Sequence, residues 1–537
     1  MIFSLTKSLF PEAILVIAAA VLFLMGTSRS TTVRRLVPKI AVLALLVALI
    51  SQLGQFFNSS GVADPWQSVQ ISEFARYIKI LAAGIGLLLV GLAWPRNFEA
   101  TEGAAIHFGQ ECGEFFGLML LSIAGLFLVA GANDMMLLFL GIELASLPTY
   151  IMVSISRPLP VAQEAGVKYF FLGALSAAVM LLGFSYLYGS TGTVYFHAAT
   201  DTDGTVLAGV DGVIRAAGGV PTAWQTLALV LLIAALAFKM AAVPLHVYAA
   251  DVYQGAATPV TAFLSFVPKA SGFVALLKIL YAVGGSSWIL PPQIGQLLWW
   301  IAVLTMTCGN VLGLLQHNVK RVLAYSSISH SGYMLVGVAA LVSTHSAATQ
   351  GLALRGVLFY LTAYGLTNIA AFGVLALLPA QRKQAGSSAE TFDDLAGLGR
   401  KHVALGLAMS VACFSLIGIP LTAGFIGKVL LVQPAFGAGL TSLVVVVMAN
   451  SAISAAYYLR IIGALFLRPT PENVPAAERM PLPILAAIAC SVVGVLALGM
   501  WVPTINRMID RTSAAGHLEL PAGAPAATIT AAASAAR

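Results

Sequence analysis

Charge is what this sequence has least of. Only 9% of its 537 residues are Asp, Glu, Lys or Arg, against about 25% in soluble domains. So few charges cannot cover a water-exposed surface, and lipid has to be the solvent. Cysteine is also scarce. Cys112, Cys308, Cys413 and Cys490 lie far apart, and there is no CxxC or Cys/His spacing, so zinc, iron–sulfur and disulfide readings gain no support. No three histidines are spaced for a metal, and no nucleotide loop, flavin fingerprint or soluble domain is visible. The first apolar stretch lacks a basic n-region and leads into further spans, which argues against a cleaved signal peptide.

What is present in excess is hydrophobicity: 59% of residues are apolar, with a mean hydropathy of +0.92. Apolar stretches fall at 8–27, 38–57, 76–95, 115–132, 134–155, 164–188, 224–250, 257–283, 295–315, 321–343, 352–379, 403–433, 439–463 and 481–505. The expected fold class is therefore an all-α polytopic membrane protein with about 14 transmembrane helices. The seventh and twelfth stretches are long and contain Pro244 and Pro420. A proline inside a span breaks the hydrogen-bond ladder, and lipid tolerates this only where protein or water satisfies the freed groups. Both are expected to be discontinuous helices lining something polar.

Basic residues set the orientation. Odd-numbered connections carry 15 Lys and Arg, whereas the termini and even-numbered connections carry 7. Cytoplasmic loops are the basic ones, so both termini are expected outside. The excess charge of +7 then reports topology rather than affinity for nucleic acid. The connection 189–223 reads as a longer outside loop, and 506–537 as a low-complexity tail.

A faint internal repeat accompanies the breaks. Phe238-x5-Pro244-Leu245 recurs as Phe414-x5-Pro420-Leu421, five helices later. An odd shift makes the two units opposite in orientation, and inverted repeats with matching broken helices are a transporter signature. The expected organisation is an N-terminal three-helix segment (1–114), a first five-helix repeat (115–283), an inverted second repeat (295–465) and a C-terminal helix (466–505), followed by the tail.

Inside this apolar frame stand Glu143, Lys168, Lys239, Lys269 and Lys428. Each costs about 2.5–3.5 kcal/mol to insert, roughly 12–18 kcal/mol together. Such groups normally mark an ion path. Static pairing alone does not account for them, because four lysines cannot all pair with one glutamate. Lysine suits proton transfer because burial brings its proton affinity toward neutrality. A carboxylate ~7 Å from a lysine, at an effective dielectric of ~20, contributes about 2.4 kcal/mol, close to the ~2.3 kcal/mol for moving one proton across 100 mV. Lys168 lies nearer the cytoplasmic end of its span, where snorkelling is the alternative, and Lys79 and Lys278 read as snorkelling residues near outside ends. His246, seven residues beyond Lys239, would share its face if the helix continued past Pro244. His330, among Ser326, Ser327, Ser329 and Ser331, marks a hydrated stretch or a packing histidine.

These residues carry a family resemblance. FKMAAVPLHVYAADVYQGAATPVTAFLSFVPKASGF, LGIELASLPTY, the Ser/His run at 325–333 and FSLIGIPLTAGFIGKVLL resemble the antiporter-like proton-translocating subunits of respiratory complex I and of Mrp-type cation/proton antiporters. The similarity covers about residues 115–465. Within the family it is to the N-type subunits of bacterial NADH:quinone oxidoreductase. EAGVKYFFLGALSAAVMLLGF with Lys168 is N-like, and Lys428 stands where M-type subunits have glutamate. The chain also stops after fourteen helices, without the long lateral helix of L-type subunits.

The resemblance implies that Glu143 and Lys239 form a mid-membrane pair. Lys269 would be the central relay and Lys428 the relay toward the outlet, while Lys168 would modulate or join the pair, with His246 and His330 as intervening relays. It implies a proton-translocating subunit in a bacterial inner membrane, surrounded by other complex I membrane subunits. This chain would bind no cofactor of its own; NADH, FMN, iron–sulfur clusters and quinone would belong to other subunits. A Mrp-type or free-standing sodium/proton antiporter is the alternative, and a structural subunit with remnant lysines a third reading. Under the repeat, Lys239 aligns with Ser415 rather than Lys428, so the halves are expected to differ chemically.

Overall fold

The structure, a computed structural model, describes residues 9–57, 68–70, 72–95, 111–200, 206–378, 390–469 and 481–500. The tail 506–537 and most of the second and third connections lie outside the described residues. Apart from a two-residue hairpin, β1 (Ala199–Thr200) and β2 (Val206–Leu207), the fold is helical. The first six helices are α1 (Phe10–Gly26), α2 (Thr31–Phe57), α3 (Glu73–Leu92), α4 (Cys112–Gly131), α5 (Met135–Ile155) and α6 (Pro160–Thr191). A short α7 (Val210–Ala216) in the long connection precedes α8 (Ala223–Lys239) and α9 (Ala249–Gly255). Then come α10 (Thr258–Gly284), α11 (Pro292–Leu314), α12 (Val319–Ser343) and α13 (Ala347–Leu377). The chain closes with α14 (Leu398–Lys401), α15 (Val403–Ile417), α16 (Ala423–Gly437), α17 (Thr441–Phe466) and α18 (Leu482–Met500).

Ten of these helices are long and apolar enough to cross a membrane, and four more are apolar but shorter. α12 is missing from both sets because its Ser/His run lowers its hydropathy, yet it is almost wholly buried. Side-chain caps fix where helices begin: Asp134 accepts from the Leu137 amide, Asn318 from Arg321, and Thr222 forms a reciprocal capping box with Gln225.

The apolar window of α10 is 100% buried and that of α13 89%, whereas only 33% of the α6, α17 and α18 windows is buried. The first two helices form the centre, and the others present Phe171, Leu175, Val445 and Val493 outward. Burial on all sides in the centre and apolar exposure outside is the pattern expected where lipid is the solvent. Small residues permit the close packing; a Cβ on Gly125 of α4 would lie 2.3 Å from the Ala145 amide nitrogen of α5.

Both expected discontinuities occur, and each contains its proline, Pro244 or Pro420, although the first helix ends well before it. α8 already ends at Lys239, and the backbone is non-helical from Met240 to Tyr248. His246 therefore does not continue the Lys239 face, which corrects the reading that assumed a helix past Pro244. The second break is shorter, Gly418 to Thr422. Gly418 at its start adopts φ +90°, a left-handed conformation that stops α15 without steric cost.

The connections sort by end. Arg157, Lys320 and Glu390, from three odd-numbered connections, meet in ion pairs, and Arg460 packs on the Phe392 ring at the same end. At the opposite end even-numbered connections join one another, as in Gln70 N to Gly131 O (2.6 Å) and Phe196 N to Asn133 O (2.8 Å).

Candidate proton path through the bundle centre

The first element is an ion pair on the face of α5. Glu143, Ser146 and Tyr150 recur at helical spacing and all point at the last residue of α8. Lys239 Nζ lies 3.1 Å from Glu143 Oε1 and donates to Ser146 Oγ (2.9 Å) and Tyr150 OH (3.3 Å). Its side chain is 2% exposed and that of Glu143 16%. The Phe238 and Tyr150 rings stand 5.8 and 5.9 Å from the amine, adding cation–π attraction in a desolvated setting.

The break after Lys239 frees backbone groups, and side chains satisfy them. Tyr248 OH donates to the Phe238 carbonyl (2.7 Å), Ser331 Oγ to the Met240 carbonyl (2.6 Å), and the Val243 amide to Thr305 Oγ1 (3.0 Å). Ser331, on α12, therefore ties the broken strand to the next lysine. Lys269, in the fully buried α10, donates to Ser331 Oγ (3.0 Å) and to the Ser327 carbonyl. Between the two lysines lies a cavity of about 10 Å³, lined by both of them with Tyr169, Tyr248 and Tyr253. That is at the lower limit of the space that can hold one water.

Beyond Lys269 the polar groups continue. Ser327 Oγ accepts from Tyr364 OH (2.7 Å) and pairs with Tyr253 OH (3.1 Å). One turn further along α12, His330 holds Tyr360 OH through Nδ1 (2.6 Å) and Tyr458 OH through Nε2 (3.1 Å). The His330 and Lys428 side chains meet the same Tyr333 ring, at 5.5 Å between centroids and 4.6 Å from the amine. Lys428 of α16 reaches back across the second break to the Ile417 carbonyl (2.7 Å) and to Ser451 Oγ (3.2 Å). An ammonium at the C-terminal carbonyls of a half-helix is favoured by the helix dipole. Ser415, where the repeat places the counterpart of Lys239, instead accepts from the Gly424 amide (3.1 Å) and pairs with Thr367 Oγ1 (3.1 Å).

The structure thus gathers Glu143, Lys239, Lys269, His330 and Lys428 along one polar row. Two residues stand apart. His246 is partly buried in the non-helical stretch, and its Nδ1 has no hydrogen-bond partner among the described residues. Lys168 is 44% exposed and pairs with Glu164 (2.8 Å) and Asp251 (3.1 Å), not with Glu143. Lys79 and Lys278 do not snorkel; both are buried on polar partners within the bundle. Lys79 is buried against Glu12 (2.6 Å), and Lys278 donates to the Ala132 carbonyl (2.7 Å).

Sequence reading missed the tyrosines. Membrane tyrosines concentrate at the interfaces, so Tyr360, Tyr364 and Tyr458, set within spans, were a legible departure from that pattern. It also missed Glu390, which is 18% exposed and accepts from Arg157 (2.6 Å) and Lys320 (3.4 Å). Burial opposes its charge, but those two cations outweigh it and hold the Glu390 carboxyl below the usual carboxylate range.

Comparison with known proteins follows the same lines. Residues 132–454, which contain the whole row, match the family model for the NADH:quinone oxidoreductase/Mrp antiporter transmembrane region. The chain is 37% identical over 497 residues to the NADH-quinone oxidoreductase subunit N of Myxococcus xanthus, covering 88% of this chain and 90% of that protein. It is 31% identical to the F(420)H(2) dehydrogenase subunit N of Methanosarcina mazei, over 92% and 95% of the two chains. Among solved structures, a chain of respiratory complex I from Thermus thermophilus is 31% identical. It superposes with a TM-score of 0.71 over 92% of this chain and 98% of that one. A chain of the Mrp complex from Dietzia sp. shares the fold, with 20% identity and a TM-score of 0.78 over 96% and 98%. The chain belongs to the NADH:quinone oxidoreductase/Mrp antiporter family of membrane subunits.

Proposed function

We propose that this chain is a proton-translocating membrane subunit of a bacterial inner-membrane NADH:quinone oxidoreductase, with other complex I membrane subunits as neighbours. The observation that carries the reading is the row of buried amines, hydroxyls and imidazole from Glu143 to Lys428. Charge asymmetry among the connections supports an orientation with both termini outside. The two helix breaks, five helices apart in the family-matched region, support the reading of 115–283 and 295–465 as inverted repeats.

Lys239, while Glu143 is at 3.1 Å, keeps its proton; when a shift of charge in a neighbouring subunit draws the carboxylate away, the proton passes by the cavity and Ser331 to Lys269. From there Ser327, Tyr364, His330 and Tyr360 offer exchangeable protons toward Lys428 and the outside. Lys168 modulates from a distance, through Asp251 on α9. NADH, FMN, iron–sulfur clusters and quinone belong to other subunits in this reading. It is supported by relatives of similar length whose names carry different electron donors, NADH in one and F(420)H(2) in another.

The test is Lys239→Ala in the assembled complex, reconstituted in liposomes. Electron transfer from NADH without proton translocation by this subunit is the expected result. Normal pumping by the assembled variant refutes the assignment. Sodium-dependent transport by the purified wild-type chain alone would favour the antiporter alternative.

A further inference from the structure

The ion cluster at the basic end of the bundle is connected to Lys269 by two short struts. Lys320, 0% exposed, donates to the Ala256 carbonyl (2.6 Å) and the Gln254 carbonyl (3.3 Å), at the C-terminal end of α9. The neighbouring Arg321 holds Asp251 Oδ1 (2.7 Å) and Gln254 Oε1 (2.9 Å) of the same short helix. Ser156, beside Arg157, accepts from the Ala257 amide (3.1 Å). Three cationic side chains and a hydroxyl, from α12, α6 and the C-cap of α5, thus fix where α9 sits, with Lys168 as the third cation. A Cβ on Gly255 would meet the Val161 carbonyl of α6 at 2.8 Å, so α9 has no slack on that side either.

α9 in turn touches the relay. Tyr253 pairs with Ser327 Oγ, and the Ser327 carbonyl carries the amine of Lys269. The second strut is α12, which bears Lys320, Ser327 and Ser331 seven and four residues apart, on one helical face. Glu390 is the anion that balances this arrangement. It accepts from Arg157 and Lys320 together, and its own carbonyl accepts the Val319 amide (2.7 Å) at the start of α12. Removing one partner from such a buried group leaves uncompensated charge, a strongly destabilising change locally.

Resting on the proton-path reading, we propose that Glu390 is a positioning residue for the central relay. By neutralising Arg157 and Lys320 at once it holds α9 against α12, and through Tyr253 and Ser327 it sets where the amine of Lys269 rests. The connection that carries Glu390 is therefore a place where an event at the basic surface reaches the middle of the membrane.

The assembled complex in liposomes provides the test, with proton translocation per NADH and amide hydrogen exchange as paired readouts. Glu390→Gln is expected to lower the proton yield about twofold or more, the range for substitutions along a coupling network. Exchange across 249–257 should accelerate about tenfold as α9 loosens. Glu390→Asp, which keeps the charge, should restore both. Tyr253→Phe, a mild change that cuts the contact with Ser327, should lower proton yield while leaving exchange at 390–397 as in wild type. Wild-type proton yield in Glu390→Gln or in Tyr253→Phe overturns the proposal, as does an aspartate variant that behaves like the glutamine one. If Glu390→Gln does not assemble, the aspartate and phenylalanine variants decide by the same criteria. Normal pumping by Lys269→Met would sink the proton-path reading instead, and exchange at 249–257 would still report whether Glu390 holds α9.

Discussion

Glu143→Gln isolates the charge of the mid-membrane pair from its shape. Glutamine keeps the volume and an oxygen acceptor, so Lys239 can retain its contacts with Ser146 and Tyr150 at 2.9 and 3.3 Å. What disappears is the attraction across 3.1 Å, about 5 kcal/mol at an effective dielectric of ~20. That is about twice the work of moving one proton against 100 mV. A carboxylate that moved to ~7 Å would keep about 2.4 kcal/mol of it, so the modulation available to the native pair is about 3 kcal/mol. The glutamine variant has no such modulation. The share of proton translocation per NADH that this subunit carries, read as the drop in acidification of liposomes by the reconstituted complex, should fall about tenfold or more, since each tenfold requires only about 1.4 kcal/mol. Glu143→Asp keeps the charge but retracts it by about 1.5 Å, one bond length, and should fall between. Assembled Glu143→Gln complex with a wild-type proton yield would refute the reasoning, because no other described carboxylate reaches Lys239.

Two further outcomes follow from the packing and the loop anchor. In Gly424→Ala the new Cβ would lie 1.8 Å from the Ser415 carbonyl. The variant should lose about 1–3 kcal/mol through overpacking at the second break; an unchanged thermal transition of the purified complex would contradict this close approach. The lowered Glu390 carboxyl contributes stability that is complete above the ordinary carboxylate range and is lost as pH falls through its depressed value. Amide exchange at 390–397 should therefore stay slow from neutral pH down to the carboxylate range and rise only below it. Loosening already near pH 6 would show that its ion pairs do not hold the loop.

The central lysines were legible in the sequence because lipid makes a charge conspicuous. Lys239, Lys269 and Lys428 stood out by residue type alone, as did Glu143, and all four join the row. Pro244 and Pro420 likewise marked the two broken helices, since proline cannot donate to the ladder. Residue type could not say where a broken helix ends. α8 stops at Lys239, five residues before Pro244, because Tyr248 of the break itself and Ser331 and Thr305 from other helices satisfy the freed backbone.

Lys168 and Lys278 show the same limit from opposite sides. Each is a lysine in an apolar span, yet one is exposed against Asp251 and the other buried against Ala132. Hydropathy along the chain cannot separate them, because it does not say which helices surround a position.

The sequence by itself determined the solvent, the number of spans and which amines were out of place, since each follows from the free energy of putting a given group in hydrocarbon. Only the tertiary structure decided which of those amines touch. The order Lys239, Ser331, Lys269, and the tie from Glu390 through α9, rest on contacts between residues 62 to 91 positions apart. Contacts at that separation depend on how helices pack, which no local pattern of residues encodes.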